Sequence, residues 1–203
     1  MEQLIIHAPH PSLRKVNETI KSIEQGNIVV YPTDSLLAVG CDPLQKKSVI
    51  RLCQLKGIDP SKANLTYLCA GITDAAILSK QIGKELFRLI KRNTPGPFTF
   101  ILTAGKDVPH HFSNKKKTIG IRIPQHYFIE VMLREMGRPL LSISLASTDE
   151  EQLLYPDELV SIYRNQIDLW IDDERPQGQP STIIDCTDWP PEIIREGGHA
   201  LVW

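Results

Sequence analysis

Between Val29 and Asp42 a β-branched run breaks at Pro32, presents Thr33, Asp34 and Ser35, and returns to apolar residues that close on Gly40. Apolar runs bounded by Pro and Gly read as buried strands. Proline has no N–H for a ladder, so the sheet must open at Pro32 and leave two hydroxyls and a carboxylate at a strand end. Such groups orient small polar ligands; the alternative is a tight turn held by its own side-chain to backbone bonds. A second candidate is Arg122, inside Ile119-Gly120-Ile121-Arg122-Ile123-Pro124. Strand alternation sets it on one face with Gly120 and Thr118, opposite Ile121 and Ile123. A guanidinium on an inner face demands a carboxylate, a phosphate or an array of carbonyls. Either a ligand supplies that partner, in space left by Gly120, or an internal Asp or Glu does so as a structural salt bridge.

Lys56 stands at a helix end before Gly57, and Lys62 follows in the next loop. Lysines beside glycine suit a phosphate, and equally suit the helix dipole and solvent. Neither belongs to a G-x-x-x-x-G-K-[ST] loop and the chain has no G-x-G-x-x-G, which disfavours a P-loop ATPase or a dinucleotide enzyme. Ser142 and Ser144 share one face of a strand end and Ser181-Thr182 opens another strand, yet no G-x-S-x-G elbow supplies a nucleophilic serine. His110, His111, His126 and His199 lack triad context and metal-ligand spacing, so no metal site is expected. The pattern is a pocket of hydroxyls and cations without covalent machinery.

Elements that would position these groups follow in order. Residues 3–8 suggest a first strand, and Ser12 would cap a helix in which Val16, Ile20 and Ile23 keep helical spacing up to Gly26. A strand over 28–31 leads into the Pro32 turn. Helices are expected over 48–56, 75–82, 84–91, 129–136 and 156–165, and strands over 65–70, 98–103, 119–123, 139–144, 169–171 and 181–185. Thr94-Pro95-Gly96-Pro97 is the strongest turn signal. A last strand at 193–195 would close the sheet at its edge. Alternation without linker or repeat predicts a single α/β (α+β) domain over 1–203, built on one twisted, mixed sheet.

Composition narrows the class. The 203 residues carry 23 Lys+Arg against 24 Asp+Glu and are 41% hydrophobic, a balance that argues against disorder and gives no global reason to expect nucleic acid. Lys115-Lys116-Lys117 is one local basic run. Cys41, Cys53, Cys69 and Cys186 lie far apart with no C-x-x-C pair, which argues against zinc and disulfides and for reduced thiols. With no signal-like start and no apolar run near the ~20 residues that span a bilayer, a soluble cytoplasmic protein is expected.

Several blocks together carry a family resemblance: Tyr31-Pro32-Thr33-Asp34-Ser35 with Gly40-Cys41-Asp42-Pro43, Leu55-Lys56, Pro95-Gly96-Pro97-Phe98-Thr99, Ile121-Arg122-Ile123-Pro124-Gln125-His126, Pro180-Ser181-Thr182-Ile183-Ile184-Asp185 and Ile194-Arg195-Glu196-Gly197. In this order they resemble the YrdC family along nearly the whole chain, and the wording around Asn93 and Lys117 looks most like its YciO branch. The resemblance implies helices and a twisted sheet around a deep concave basic cavity. It also implies a nucleotidyltransferase that joins L-threonine, bicarbonate and ATP, with Mg²⁺, into threonylcarbamoyl-AMP and pyrophosphate for tRNA modification. Carried over by motif, Ser35, Thr118, Arg122 and Ser181 would bind threonine, with Arg122 on its carboxylate. Lys56, Lys62, Ser142, Ser144 and Arg195 would bind the nucleotide. Two departures stand out: the second cation of the family's Lys-x-Arg is Ile58, and the amide of its Ser-x-Asn is Ala146. The rival reading is a non-catalytic protein, ribosome-associated or binding tRNA or double-stranded RNA, with Lys115 to Lys117, Arg122 and Arg195 as phosphate contacts.

Overall fold

The computed structural model describes residues 1–7, 9–59, 65–109, 117–146 and 154–203. Lys62, His110, His111, Lys115 and Lys116 lie outside these residues. In chain order the elements are β1 (Glu2–Ile5), α1 (Leu13–Glu24), β2 (Val29–Tyr31), β3 (Ala38–Cys41), α2 (Lys46–Leu55), β4 (Thr66–Leu68), α3 (Ile72–Leu78), α4 (Lys84–Asn93), β5 (Phe98–Thr103), β6 (Thr118–Arg122), α5 (Tyr127–Met136), β7 (Leu140–Ser144), α6 (Pro156–Tyr163), β8 (Leu169–Asp172), β9 (Thr182–Asp185) and β10 (Glu192–Arg195). The strands form one mixed ten-stranded sheet in the order β1-β8-β2-β3-β7-β4-β6-β5-β9-β10, with β10 at the edge as its pattern suggests.

Most elements lie where periodicity puts them, with a few shifts of physical origin. Helix α3 begins at Ile72 and stops at Leu78, not over 75–82, because Ser79 turns into a bridge with Ala104 beside β5. The first strand ends at Ile5, short of the expected span. Ser12 holds the cap position of α1 in extended backbone, but its hydroxyl makes no capping bond. Gly26 turns with φ +86°, which lets α1 stop and β2 begin within a few residues. Helix α5 starts at Tyr127 and buries Phe128, Ile129, Met132, Leu133 and Met136, each worth about 1.5–3 kcal/mol against exposure.

The two faces of the sheet are covered differently, and that difference makes the cavity. On one face α2, α3, α4 and α6 bring Val49, Leu52, Ala75, Leu78, Ile90 and Leu159 onto Val39, Tyr67, Phe100, Ile121, Leu141 and Trp170. On the other, α1 and α5 pack Val16, Ile23, Phe128 and Met132 against Val29, Tyr31, Ala38 and Leu169 of β2, β3 and β8, and the cluster reaches Leu140 of β7 and Leu68 of β4. Beyond them the strand register runs Gly40, Ser142, Thr66, Gly120, Ile101, Asp185 across six strands on that same face. A sheet face without a helical cover must be hydrated, and this one is built from small and hydroxylated residues.

Close approach fixes the row at two glycines. A Cβ on Gly40 would lie 2.6 Å from both the Leu141 carbonyl and the Tyr31 hydroxyl, and one on Gly120 would lie 2.6 Å from Thr66 Oγ1. The four cysteines are free and buried; burial pushes the Cys186 thiol up to about 12 and raises those of Cys41, Cys53 and Cys69 as well. Among the described residues no helix is long and apolar enough to cross a membrane. Gly40→Ala is expected to lower stability by about 1–3 kcal/mol through overpacking, read as a shift of the urea midpoint. An unchanged midpoint would contradict this packing.

Candidate functional site

The uncovered face holds two connected chambers. The smaller, about 200 Å³, is lined by Ser35, Leu68, Arg122, Ser142, Ser144, Ser181 and Arg195, among others. The larger, about 490 Å³, is lined by Thr103, Thr118, Gly120, Asp185 and Thr187 with Ile101 and Ile194. Thr66, Thr99 and Ile183 belong to both, so the two are continuous. Strand alternation explains the lining, since every second residue of β4, β5, β6, β7 and β9 faces this way.

Arg122 sits at the inner end of the smaller chamber, 7% exposed. Its Nη2 pairs with Asp34 Oδ1 and donates to Thr33 Oγ1 at 3.1 Å. The structural salt bridge of the alternative reading is therefore present, and the Asp34 carboxylate is committed to it instead of to a ligand. Arg122 and Asp34 are far apart on a flat sheet. Twist of roughly 20–25° per strand accumulates over the four steps from β2 to β6 and turns the strand ends towards each other. The pair leaves Arg122 Nε buried with no partner. A buried guanidinium N–H without an acceptor costs free energy.

Hydroxyls surround this donor. Thr33 gives its hydrogen to the Leu36 carbonyl at 2.8 Å, and its lone pairs take Ser35 N–H at 3.0 Å and Arg122. The turn thus also makes the local bonds expected of a tight Pro-Thr-Asp turn. The Ser35 hydroxyl, which lines the smaller chamber, also stands 3.2 Å from Thr33 Oγ1. Tyr31 hydrogen-bonds Ser142 Oγ at 2.7 Å, and burial holds its phenol protonated, well above the ordinary value, so that it donates. Thr99 and Ser181 hydroxyls stand 3.1 Å apart, and Arg195 Nη2 donates to the Ser181 carbonyl at 2.8 Å and hydroxyl at 3.2 Å. Burial, then the neighbouring Arg122 guanidinium, pulls the Arg195 pKa below its usual value. Two cations close enough to oppose each other mark a place for an anion.

Of the residues singled out from sequence, Ser35, Arg122, Ser142, Ser144, Ser181 and Arg195 converge on the smaller chamber. Thr118 does not join Arg122. Four residues along one strand at about 3.3 Å each separate them by roughly 13 Å, so Thr118 serves the larger chamber. Lys56 lines neither chamber; its Nζ donates to the Leu145 carbonyl at 2.6 Å, one residue beyond Ser144. Ile58 packs against the main core and Ala146 is buried, so neither offers a polar group to a ligand. Thr66 and Thr99 were not singled out, although the alternation that placed Arg122 also places them. A buried pair, His126 with Asp173, closes the region behind the Pro32 turn, and His126 had no context in sequence that predicted it. Among the described residues no group of His, Cys, Asp and Glu gathers as a metal site.

This chain is similar to known proteins throughout its length. Residues 21–197 match the Sua5, YciO and YrdC family, described as telomere recombination. The chain belongs to that family. It is 36% identical to the uncharacterized protein YciO of Escherichia coli K12 over 95% of this chain and 93% of that one. The crystal structure of E. coli YciO superposes with a TM-score of 0.91 over 98% of each chain. The threonylcarbamoyl-AMP synthase of Pyrococcus abyssi is 29% identical over 88% of this chain and 53% of its own length. P. abyssi Sua5 complexed with L-threonine shares the fold, with a TM-score of 0.85 at 24% identity over 98% of this chain and 58% of that one.

Two outcomes follow from the electrostatics. Asp34→Asn would leave the Arg122 charge buried without its counter-ion and is expected to cost about 3–5 kcal/mol in chemical denaturation. Burial alone would raise the Asp173 pKa, but hydrogen bonds from His126 and Arg175 outweigh it and leave the carboxyl below its ordinary value. A depressed folded pKa adds stability that is present above about pH 4 and is lost as pH falls through the folded value. Thermal midpoints of Asp173→Asn should therefore fall less steeply than wild type as pH is lowered below 4.

Proposed function

We propose that this chain binds L-threonine and ATP in the two connected chambers, with the threonine carboxylate at Arg122 in the smaller, and forms threonylcarbamoyl-AMP from them with bicarbonate at a reduced rate. The observation that carries this is the buried Arg122 guanidinium, which lines a space of about 200 Å³ walled by serine hydroxyls. A carboxylate would accept from that guanidinium in a charge-assisted bond. Ser35, Ser181 and Ser142 form a wall of hydroxyls that suits a small amino acid with its own hydroxyl. Arg195 faces the same space and would meet a phosphate. Membership of the family and the naming of its 29% identical relative as a threonylcarbamoyl-AMP synthase support this choice of substrates.

Catalysis of this kind consists of holding reactants in line and neutralising charge on the leaving pyrophosphate. Mg²⁺ would supply part of that neutralisation and enter with the nucleotide. The protein's share is reduced where Ile58 offers no guanidinium, since one phosphate-binding cation is worth a few kcal/mol, roughly a hundredfold or more in rate. Binding of RNA draws less support. Arg122 is buried and paired with Asp34, beyond reach of a duplex backbone.

Pyrophosphate release from ATP with bicarbonate and Mg²⁺ is expected to depend on L-threonine, and to fall about a hundredfold in Arg122→Ala. Threonine-independent release, or none together with RNA binding that weakens steeply with salt, would overturn the proposal.

A further inference from the structure

Behind the Asp34–Arg122 pair lies a chain of polar contacts that the chamber itself does not use. Asp34 is held at both oxygens: Arg122 takes Oδ1, and the backbone N–H of Gln125 donates to Oδ2 at 2.9 Å. Gln125 leads directly into His126, the N-cap residue of α5. The His126 ring is 1% exposed, stacks on Tyr127 at a centroid distance of 4.8 Å, and bonds through Nε2 to Asp173 Oδ2 at 3.1 Å. Asp173, 5% exposed and just beyond β8, is gripped in turn by the Arg175 guanidinium. Three segments that are remote in sequence, the Pro32 turn, the β6–α5 connection and the end of β8, are thereby tied at one place.

An imidazole and a carboxylate buried together are a costly way to fill space, and apolar residues of the same volume generally do as well for stability. What hydrogen bonds add is direction. An apolar contact lets the start of α5 slide, whereas the Nε2–Oδ2 bond fixes it against β8. The position of Gln125 N–H then fixes Asp34, and Asp34 fixes the Arg122 guanidinium through Nη2. We propose that His126 and Asp173 are positioning residues for Arg122: through Gln125 and Asp34 they hold the guanidinium in the orientation from which it meets the carboxylate of the ligand. This rests on the reading that the smaller chamber takes an amino-acid carboxylate.

His126→Phe tests it, because an aromatic ring able to stack remains while the bond to Asp173 is lost. His126→Gln, whose amide still donates to Asp173, is the rescue. The first readout needs no ligand: the Nε–Hε NMR resonance of Arg122, assigned by its loss in Arg122→Lys, should move in His126→Phe and return in His126→Gln. The second is the Kd for L-threonine by calorimetry, expected to rise about tenfold or more in His126→Phe and to recover in His126→Gln, as misplacement of a binding group by a fraction of an ångström would cause. A purely structural role would lower the melting temperature of His126→Phe while the Arg122 resonance stays in place, and that result overturns the positioning role. If wild type does not bind L-threonine, the threonine reading fails, and the resonance alone decides whether His126 positions Arg122.

Discussion

The ion pair between Asp34 and Arg122 is the constraint on which the rest of this protein depends. A guanidinium that leaves water must find acceptors, and a carboxylate that leaves water must find donors. Here each is 10% exposed or less on its side chain. Satisfying both requires the strand to break at Pro32, the sheet to twist until β6 reaches the β2 turn, and the start of α5 to offer a backbone N–H to the second oxygen of Asp34. Once these demands are met, Nη2 of Arg122 is committed to Asp34 and Thr33. The candidate ligand site is the chamber that this guanidinium lines, framed by serine and threonine hydroxyls.

The sheet provides the setting by an omission. Its α2, α3, α4 and α6 face is a continuous apolar core, whereas α1 and α5 cover only part of the opposite face. Over the exposed remainder, Thr66, Thr99, Ser142 and Gly120 take positions that would be Val or Leu if a helix lay above them. The chain thus spends strand-forming threonines on a wet surface, where they keep β propensity and supply polar groups at once. Gly40 and Gly120 let backbone and side chains approach closely enough to keep the row level.

Much of this was legible in the sequence, and what was not has a physical reason. Period-2 alternation around Arg122 and in the Ser142-Ile143-Ser144 strand correctly assigned faces, because a strand cannot turn one residue without turning its neighbours. Helix positions followed from apolar spacing, while the ends of α3 did not, since a bridge from Ser79 to Ala104 overrides local preference. Pairing was hidden. Asp34 lies 88 positions from Arg122, and Asp173 lies 47 from His126, and no local pattern relates such residues. Thr118 shares the face of Arg122 and yet lines the larger chamber, because a shared face sets direction and leaves distance along the strand to the rise per residue. His126 looked like an isolated histidine because its partner belongs to a different strand end.

The central claim is that the smaller chamber recognises an amino acid through its carboxylate at Arg122. Calorimetric titration with L-threonine beside L-threoninol, which keeps the amine and the side-chain hydroxyl but has no carboxylate, tests that most directly. Saturable binding of L-threonine with at least a tenfold loss for L-threoninol, the scale of one charge-assisted bond, is the predicted result. Equal affinity for both, or heat from neither, would contradict it.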